Sequence, residues 1–176
     1  MNEKPIHEIM VPLEEYPCIC DTHTLRQAIA EMMRVQILRQ EHATLARVAL
    51  VFDAGFRELL GMLRRRDIMR GLEPRFLHSG SREYKRKLFD IDIDPNLAEL
   101  SYDKIAARMR QRANLLVREF MIPIPATIEY DDHIMKAIYE MVDQNTSLLP
   151  VLKDGKIVGV VRSVDVLNEI ALIIGP

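Results

Sequence analysis

The sequence has no tryptophan, two cysteines and seven glycines among its 176 residues. Two thiols cannot make the disulfide scaffold of a small secreted domain, so a cytoplasmic location is the expectation. With so few glycines there is no P-loop, no GxGxxG and no glycine-rich phosphate cradle. No apolar run approaches the roughly 20 residues of a membrane span, and no signal-peptide pattern opens the chain, so membrane insertion is not expected. Charge of one sign is also missing. Lysine and arginine number 24, aspartate and glutamate 26, and the net charge of −2 argues against wholesale attraction to nucleic acid or anionic lipid. The histidines at 7, 23, 42, 78 and 133 form no HExxH, no Gly-x-Ser-x-Gly occurs, and no spacing pairs carboxylates for acid–base work. The expectation is therefore a protein that is not an enzyme.

What is present is an ordinary apolar fraction of 48%, enough for a core, in a length that suits one domain or two small halves. The chain also repeats itself. Ile9-Met10-Val11-Pro12 returns as Phe120-Met121-Ile122-Pro123, and Cys18-Ile19-Cys20 aligns with Thr127-Ile128-Glu129. Apolar positions at Leu25, Ala28, Ile29, Met32 and Met33 match Ile134, Ala137, Ile138, Met141 and Val142 in spacing. Both sets trace one stripe of an amphipathic helix. Thr24 with Gln27 predicts a capping box for the first helix, and Asp131 or Asp132 a cap for the second.

Each helix is followed by two apolar runs around a turn. Val48–Phe52 leads through Asp53-Ala54-Gly55 to Leu59–Leu63, and Leu148–Leu152 through Asp154-Gly155 to Ile157–Val161. Asp-Gly between apolar runs is a strong hairpin signal. Both copies then continue into a helical tail, with Arg64 and Asp67 in the first and Arg162 and Asp165 in the second. Each copy therefore reads strand, helix, strand, strand, helix. The fold class expected is α/β, two βαββα units related by a pseudo-two-fold axis, with a helical insertion between them.

On these residues, and above all on Leu149-Pro150-Val151, Asp154-Gly155 and Gly159-Val160-Val161-Arg162-Ser163-Val164-Asp165, the chain resembles a tandem pair of CBS domains, or Bateman module. The expected boundaries are a first repeat at 5–72, an insertion at 73–116 and a second repeat at 117–174. The resemblance implies a regulatory sensor that binds an adenosine-containing ligand (AMP, ADP, ATP or S-adenosylmethionine) between the repeats, with no cofactor required for its function. It implies a homodimer through the CBS helices. No output domain is read from the sequence, so an unidentified regulated protein would be reached in trans. The ligand-binding residues it implies are Asp165, Arg162, Ser163, Thr127, Ile128 and Pro150 in the second copy, and Asp67, Arg64, Cys18 and Ile19 in the first. In the family pattern Gly-x-x-Ser/Thr-x-x-Asp the acid takes the ribose hydroxyls and the hydroxyl residue contacts phosphate. Both acids are here, but arginine replaces the hydroxyl residue in each copy.

The chemistry stands without the family. A carboxylate accepts two charge-assisted hydrogen bonds from a vicinal diol, and an acid in a first helical turn is favoured by the helix dipole. A guanidinium grips phosphate in a fork that a hydroxyl cannot form, each such bond contributing roughly 1.5–3 kcal/mol. The arginines thus predict a charged phosphate tail on the ligand. The rival is a ligand-independent dimerisation scaffold. Arginines projecting into an open cleft favour sensing, and arginines paired with carboxylates across a closed cleft favour scaffolding. Cys18, Cys20 and His23 lack a fourth ligand at metal-like spacing and read as a half-buried thiol pair.

Between Arg64 and Lys87 lie nine basic residues against three acids. They read as a solvated face, as positive potential for a phosphate, or as a contact for an acidic partner or nucleic acid, the last weakened by scarce interleaved aromatics. His78–Ser81 reads as a loop, and Asp90–Pro95 alternates like an exposed strand or loop without an EF-hand's glycine and glutamate. Tyr102, Ile105, Met109, Ala113 and Leu116 predict a helix leading into the second repeat.

Overall fold

The computed structural model describes residues 4–39, 42–73 and 102–175. In chain order the elements are β1 (Val11–Pro12), β2 (Cys18–Cys20), α1 (Leu25–Arg34), β3 (Gln36–Arg39), β4 (His42–Leu45), β5 (Val48–Phe52), β6 (Leu59–Arg64) and α2 (Arg65–Leu72). Helix α3 (Tyr102–Arg112) then leads to β7 (Ile128–Glu129), α4 (Ile134–Asp143), β8 (Leu148–Lys153), β9 (Lys156–Arg162) and α5 (Ser163–Ile174). The loop at 78–81, the alternation at 90–95 and the basic residues from 75 to 87 lie outside the described residues.

The second repeat follows the expected βαββα order. The first departs from it: a β3–β4 hairpin, paired from Gln36↔Leu45 to Arg39↔His42, fills the connection between α1 and β5. Gln40 and Glu41, between the two strands, include no glycine, asparagine or aspartate to mark a turn in sequence.

Each repeat builds its sheet on a buried aliphatic strand. In the first, β2 runs parallel to β5 and β6 antiparallel to it; in the second, β7 runs parallel to β8 and β9 antiparallel to it. Strand β7 is one residue shorter than β2. Leu50 N donates to Pro17 O at the start of β2. Its counterpart is Pro150, which has no N–H to donate. At the β8–β9 turn Asp154 and Gly155 both have positive φ, 51° and 73°, as an Asp-Gly hairpin turn requires.

The repeats exchange their leading segments. Strand β1 pairs with β9, Val11 opposite Val160, and Ile122 and Met62 exchange two backbone hydrogen bonds of 2.9 Å. Ile6 N donates to Asp132 O, and its equivalent Val117 N donates to His23 O. Ile6 and Val117 are fully buried, each in the core of the opposite repeat. Burial of such a side chain contributes about 1.5–3 kcal/mol. This crossing needs glycine at one place per sheet. A Cβ on Gly61 would lie 2.5 Å from Ile122 O, and one on Gly159 2.5 Å from Val11 O. A third core cluster, with Val11, Leu50, Met62, Leu148 and Val160, joins the two sheets.

The helix stripes bury Leu25, Ala28 and Met32, and Ile134, Ala137 and Met141, but Met33 and Val142 at their trailing ends are exposed. Thr24 and Gln27 form the capping box. For α4 the cap is His133, whose Nδ1 accepts from Met135 N at 3.2 Å, and not Asp131 or Asp132. Asp132 is drawn away by Glu129 N and Lys136 Nζ, at 2.9 and 2.6 Å.

Candidate functional site

Two clefts open where the starts of β5 and β8 meet, and Val48 and Leu148 line both. Their volumes, about 590 and about 410 Å³, fall in the range of small-molecule sites. They are pseudo-symmetric. Residues 44–48 and Arg162 line the larger, and the equivalent residues 144–148 and Arg64 the smaller.

Their electrostatics differ. Arg47, Arg65 and Arg162 line the larger cleft, and among the described residues lining it there is no carboxylate. Only Arg64 is charged among those lining the smaller, beside Gln144, Asn145, Thr146 and Ser147. Arg65 is fixed by its position at the start of α2: its Nε and Nη2 donate to Ala46 O and Leu45 O at 3.1 and 3.2 Å, and its backbone N to Arg47 O. The Arg47 side chain is exposed and takes no partner among the described residues. Tyr16 closes the floor, its hydroxyl donating to Val48 O at 2.6 Å. Burial pushes that phenol well above its ordinary range.

The two arginines flagged in sequence line the clefts, but each, the last residue of its strand, is paired with the acid three residues on in the first turn of the following helix. Arg162 Nε and Nη2 donate to Asp165 Oδ2 and Oδ1 at 2.7 and 2.6 Å, and its Nη1 donates to Thr44 Oγ1 at 3.2 Å. Arg64 Nε and Nη2 donate to Asp67 Oδ2 and Oδ1 at 2.8 and 3.0 Å, and Arg70 adds a bond of 3.1 Å. Each acid also accepts from the backbone N–H of its arginine. Neither arrangement foreseen for the arginines describes this: they face the clefts while their partners sit beneath them, not across. Burial pushes the Asp67 carboxyl up, but the hydrogen bonds from Arg64 and the charges of Arg64 and Arg70 outweigh it and hold the group below the usual carboxylate range. Asp67 and Asp165 are buried and line neither cleft.

Ser163 lines the larger cleft beside Arg162. Ile19, Ile128 and Pro150 are buried, and Thr127 is exposed. Cys18 is half-buried against the cluster between the sheets, where burial, with Glu31 and Glu14, pushes its thiol up to about 12. None of these five is among the residues lining the two clefts. Cys20 Sγ donates to Asp53 O, and His23 Nδ1 accepts from Cys20 N. Sequence reasoning missed Tyr16, Thr44, Arg47 and Ser147, and reached Arg65 only as one of the nine basic residues read, among other ways, as positive potential for a phosphate. The repeat carried a signal for two of them, because Arg47 and Ser147 hold equivalent positions just before β5 and β8.

Comparison with known proteins agrees with this architecture. The family model described as CBS domain matches twice, at residues 6–74 and 117–172. A CBS domain-containing protein of unknown function from Kribbella flavida aligns with TM-score 0.66 at 15% identity, over 98% of this chain and 99% of that one. The CBS-pair protein CBSX2 from Arabidopsis thaliana aligns with TM-score 0.62 at 14% identity, over 98% and 97%, and CBSX2 has also been solved in complex with AMP. The CBS domain of the bacterial CNNM/CorC family Mg2+ transporter in complex with ATP aligns with TM-score 0.59 at 16% identity, over 96% and 88%. No curated protein sequence matches the chain.

Proposed function

This chain belongs to the CBS domain family, and from that premise we propose that it is a non-catalytic regulatory module that binds an adenosine-containing nucleotide in the larger cleft and signals to a partner in trans. The observation that carries the reading is a cleft spanning both repeats, lined by three arginines and no described carboxylate. Arg47, Arg65 and Arg162 supply charge-assisted donors for phosphate oxygens. Val164 and Leu167, exposed at the cleft, offer apolar surface to a base. The relatives solved with AMP and ATP support the ligand class. Because the cleft is shared, a ligand that favours one relative setting of the repeats shifts the population toward it. The smaller cleft, with one arginine, is the weaker candidate. Asp165 and Asp67 serve as positioning residues that hold Arg162 and Arg64.

The same reading includes a homodimer. Helix α4 exposes Met135, Tyr139 and Val142, and helix α5 Leu167, Leu172, Ile173 and Ile174. Light scattering on the eluting protein should give twice the 20.4 kDa chain mass; a monomer at micromolar concentration would remove this part. No helix among the described residues is long and apolar enough to cross a membrane.

The test is thermal denaturation with AMP, ADP, ATP and S-adenosylmethionine. A ligand at 100 times its dissociation constant stabilises by about 2.7 kcal/mol. Arg47→Ala, at an exposed side chain, should leave the unliganded melt unchanged and shrink the ligand shift. If none of the four compounds moves the melt, the ligand-independent scaffold replaces this reading. The arginine–aspartate pairs, complete without ligand, are the observation in its favour.

A further inference from the structure

The two repeats fold alike but differ on the outer face of their helices. In the second repeat α4 and α5 pack side by side, and each carries two apolar stripes. The inner stripes put Ala137 and Met141 of α4 and Val166 of α5 into the core. The outer stripes are Met135, Tyr139 and Val142 on α4, and Val164, Leu167, Ala171 and Ile174 on α5, all exposed. Steps of three and four residues keep each outer stripe on one side of its helix, as in a seam between two helices. Charged groups on these helices are paired within the chain, Lys136 with Asp132 and Glu169 with Lys4.

The first repeat, whose α1 and α2 also pack together, lacks this pattern. The positions equivalent to Met135, Tyr139 and Val142 are Arg26, Ala30 and Met33, and those equivalent to Val164, Leu167 and Ala171 are Arg66, Met69 and Glu73. An exposed arginine thus opens each outer stripe where the second repeat has methionine or valine. Single exposed side chains such as Met33 and Met69 are ordinary, whereas a contiguous apolar face on two adjacent helices marks a contact.

We infer that the homodimer forms through the α4–α5 face alone, the second repeat of one copy against the second repeat of the other, and that α1 and α2 stay outside the contact. This rests on the homodimer reading above and adds to it which repeat makes the contact and in what orientation. A two-fold contact sets one surface against itself. The α4–α5 face matches itself because its outer stripes are apolar. The α1–α2 face does not, because Arg26 and Arg66 of one copy would meet those of the other. A head-to-tail contact, first repeat on second, would press the same two arginines onto the apolar stripes and take them from water without a partner there. Val164 and Leu167 also line the larger cleft, so the contact reaches the edge of that cleft.

Light scattering on variants of the full chain at equivalent positions tests this. Tyr139→Glu and Leu167→Glu should each turn the dimer into a monomer at micromolar concentration, since every substitution acts twice in a two-fold contact. Ala30→Glu and Met69→Glu, at the same places in the first repeat, should leave the dimer intact. All four side chains are exposed, so all four variants should keep the wild-type circular dichroism. If Leu167→Glu does not fold, Leu167→Gln should still raise the dimer dissociation constant at least about tenfold. Dissociation by either first-repeat variant, or a dimer that survives the second-repeat substitutions, overturns the inference and leaves the homodimer standing. A monomeric wild type ends both.

Discussion

The two arginine–aspartate pairs have the same spacing and hydrogen-bond pattern, yet they are not equivalent. Arg162 is 12% exposed and Arg64 38%. The difference follows from the hairpin that only the first repeat carries. Thr44, on β4, reaches Arg162 across the larger cleft, and its counterpart Gln144 lies just past α4, where no second hairpin exists. A duplicated motif therefore becomes two sites of different character through an insertion elsewhere in one copy. The largest expected effect breaks this comparison. Asp165→Ala leaves a largely buried guanidinium without its carboxylate and should cost about 3–5 kcal/mol. Asp67→Ala releases Arg64 and Arg70 toward water and should cost about 1–2 kcal/mol, mostly the lost helix-start contact and weak exposed pairing. Urea unfolding of both variants measures the gap; equal losses would mean that the pairs are equivalent after all.

Next in size is a test of what the copies share. Ala at Gly61 or Gly159 drives a Cβ against a backbone carbonyl of the exchanged segment. Each substitution should cost about 1–3 kcal/mol, as overpacking does. The losses should be similar, because Ile122 and Val11 cross their sheets in the same way. Gly159→Ala should be slightly worse, since Met10 Sδ stands 3.2 Å from its Cβ position. A loss confined to one variant would show that the exchange stabilises only one repeat.

The repeat was legible because duplication prints the same periodicities twice: the stripes from Leu25 and Ile134, the Asp154-Gly155 turn and the helix starts at Arg64 and Arg162 all appear in the structure. The exchange of leading segments was not, because Val11 and Ile122 look the same in sequence whichever sheet they join. The hairpin was hidden because Ile37 is the only fully buried position described on it and no turn residue marks it. At the site, sequence located Arg64, Arg162 and Ser163. It could not foresee that each guanidinium would fold back on its own aspartate, since an i,i+3 ion pair and a free acid beside a free base are written with the same letters.

Protonation sharpens the contrast on a smaller scale. Asp67 has its carboxyl held below the ordinary value near 3.9. Its contribution is present above that value and is lost as pH falls through the lower folded value. Asp67→Asn should therefore flatten the acid limb of stability against pH. Cys18 acts in the opposite direction. With its thiol pushed up to about 12, the folded state is favoured below the ordinary thiol range, and that preference is lost as pH rises toward 12. The equivalent position is Thr127, which does not ionise, so Cys18→Thr should flatten the alkaline limb. Urea midpoints at pH 8 and pH 10.5 measure it; an unchanged slope would show that Cys18 is not the group responsible.

The smallest effect concerns the helix starts. Thr24 Oγ1 accepts from Gln27 N while Gln27 Oε1 accepts from Thr24 N at 2.8 Å. His133 offers α4 one ring nitrogen at 3.2 Å with no reciprocal partner of that kind. The box as a whole satisfies two backbone donors, one through the Thr24 hydroxyl and one through Gln27 Oε1, whereas the ring nitrogen satisfies one. Thr24→Ala should then cost about 1 kcal/mol. His133→Ala should cost less, about 0.5 kcal/mol or below. Urea unfolding of both variants measures the difference. A His133→Ala loss as large as that of Thr24→Ala would mean that the imidazole contributes more than the single bond to Met135 N.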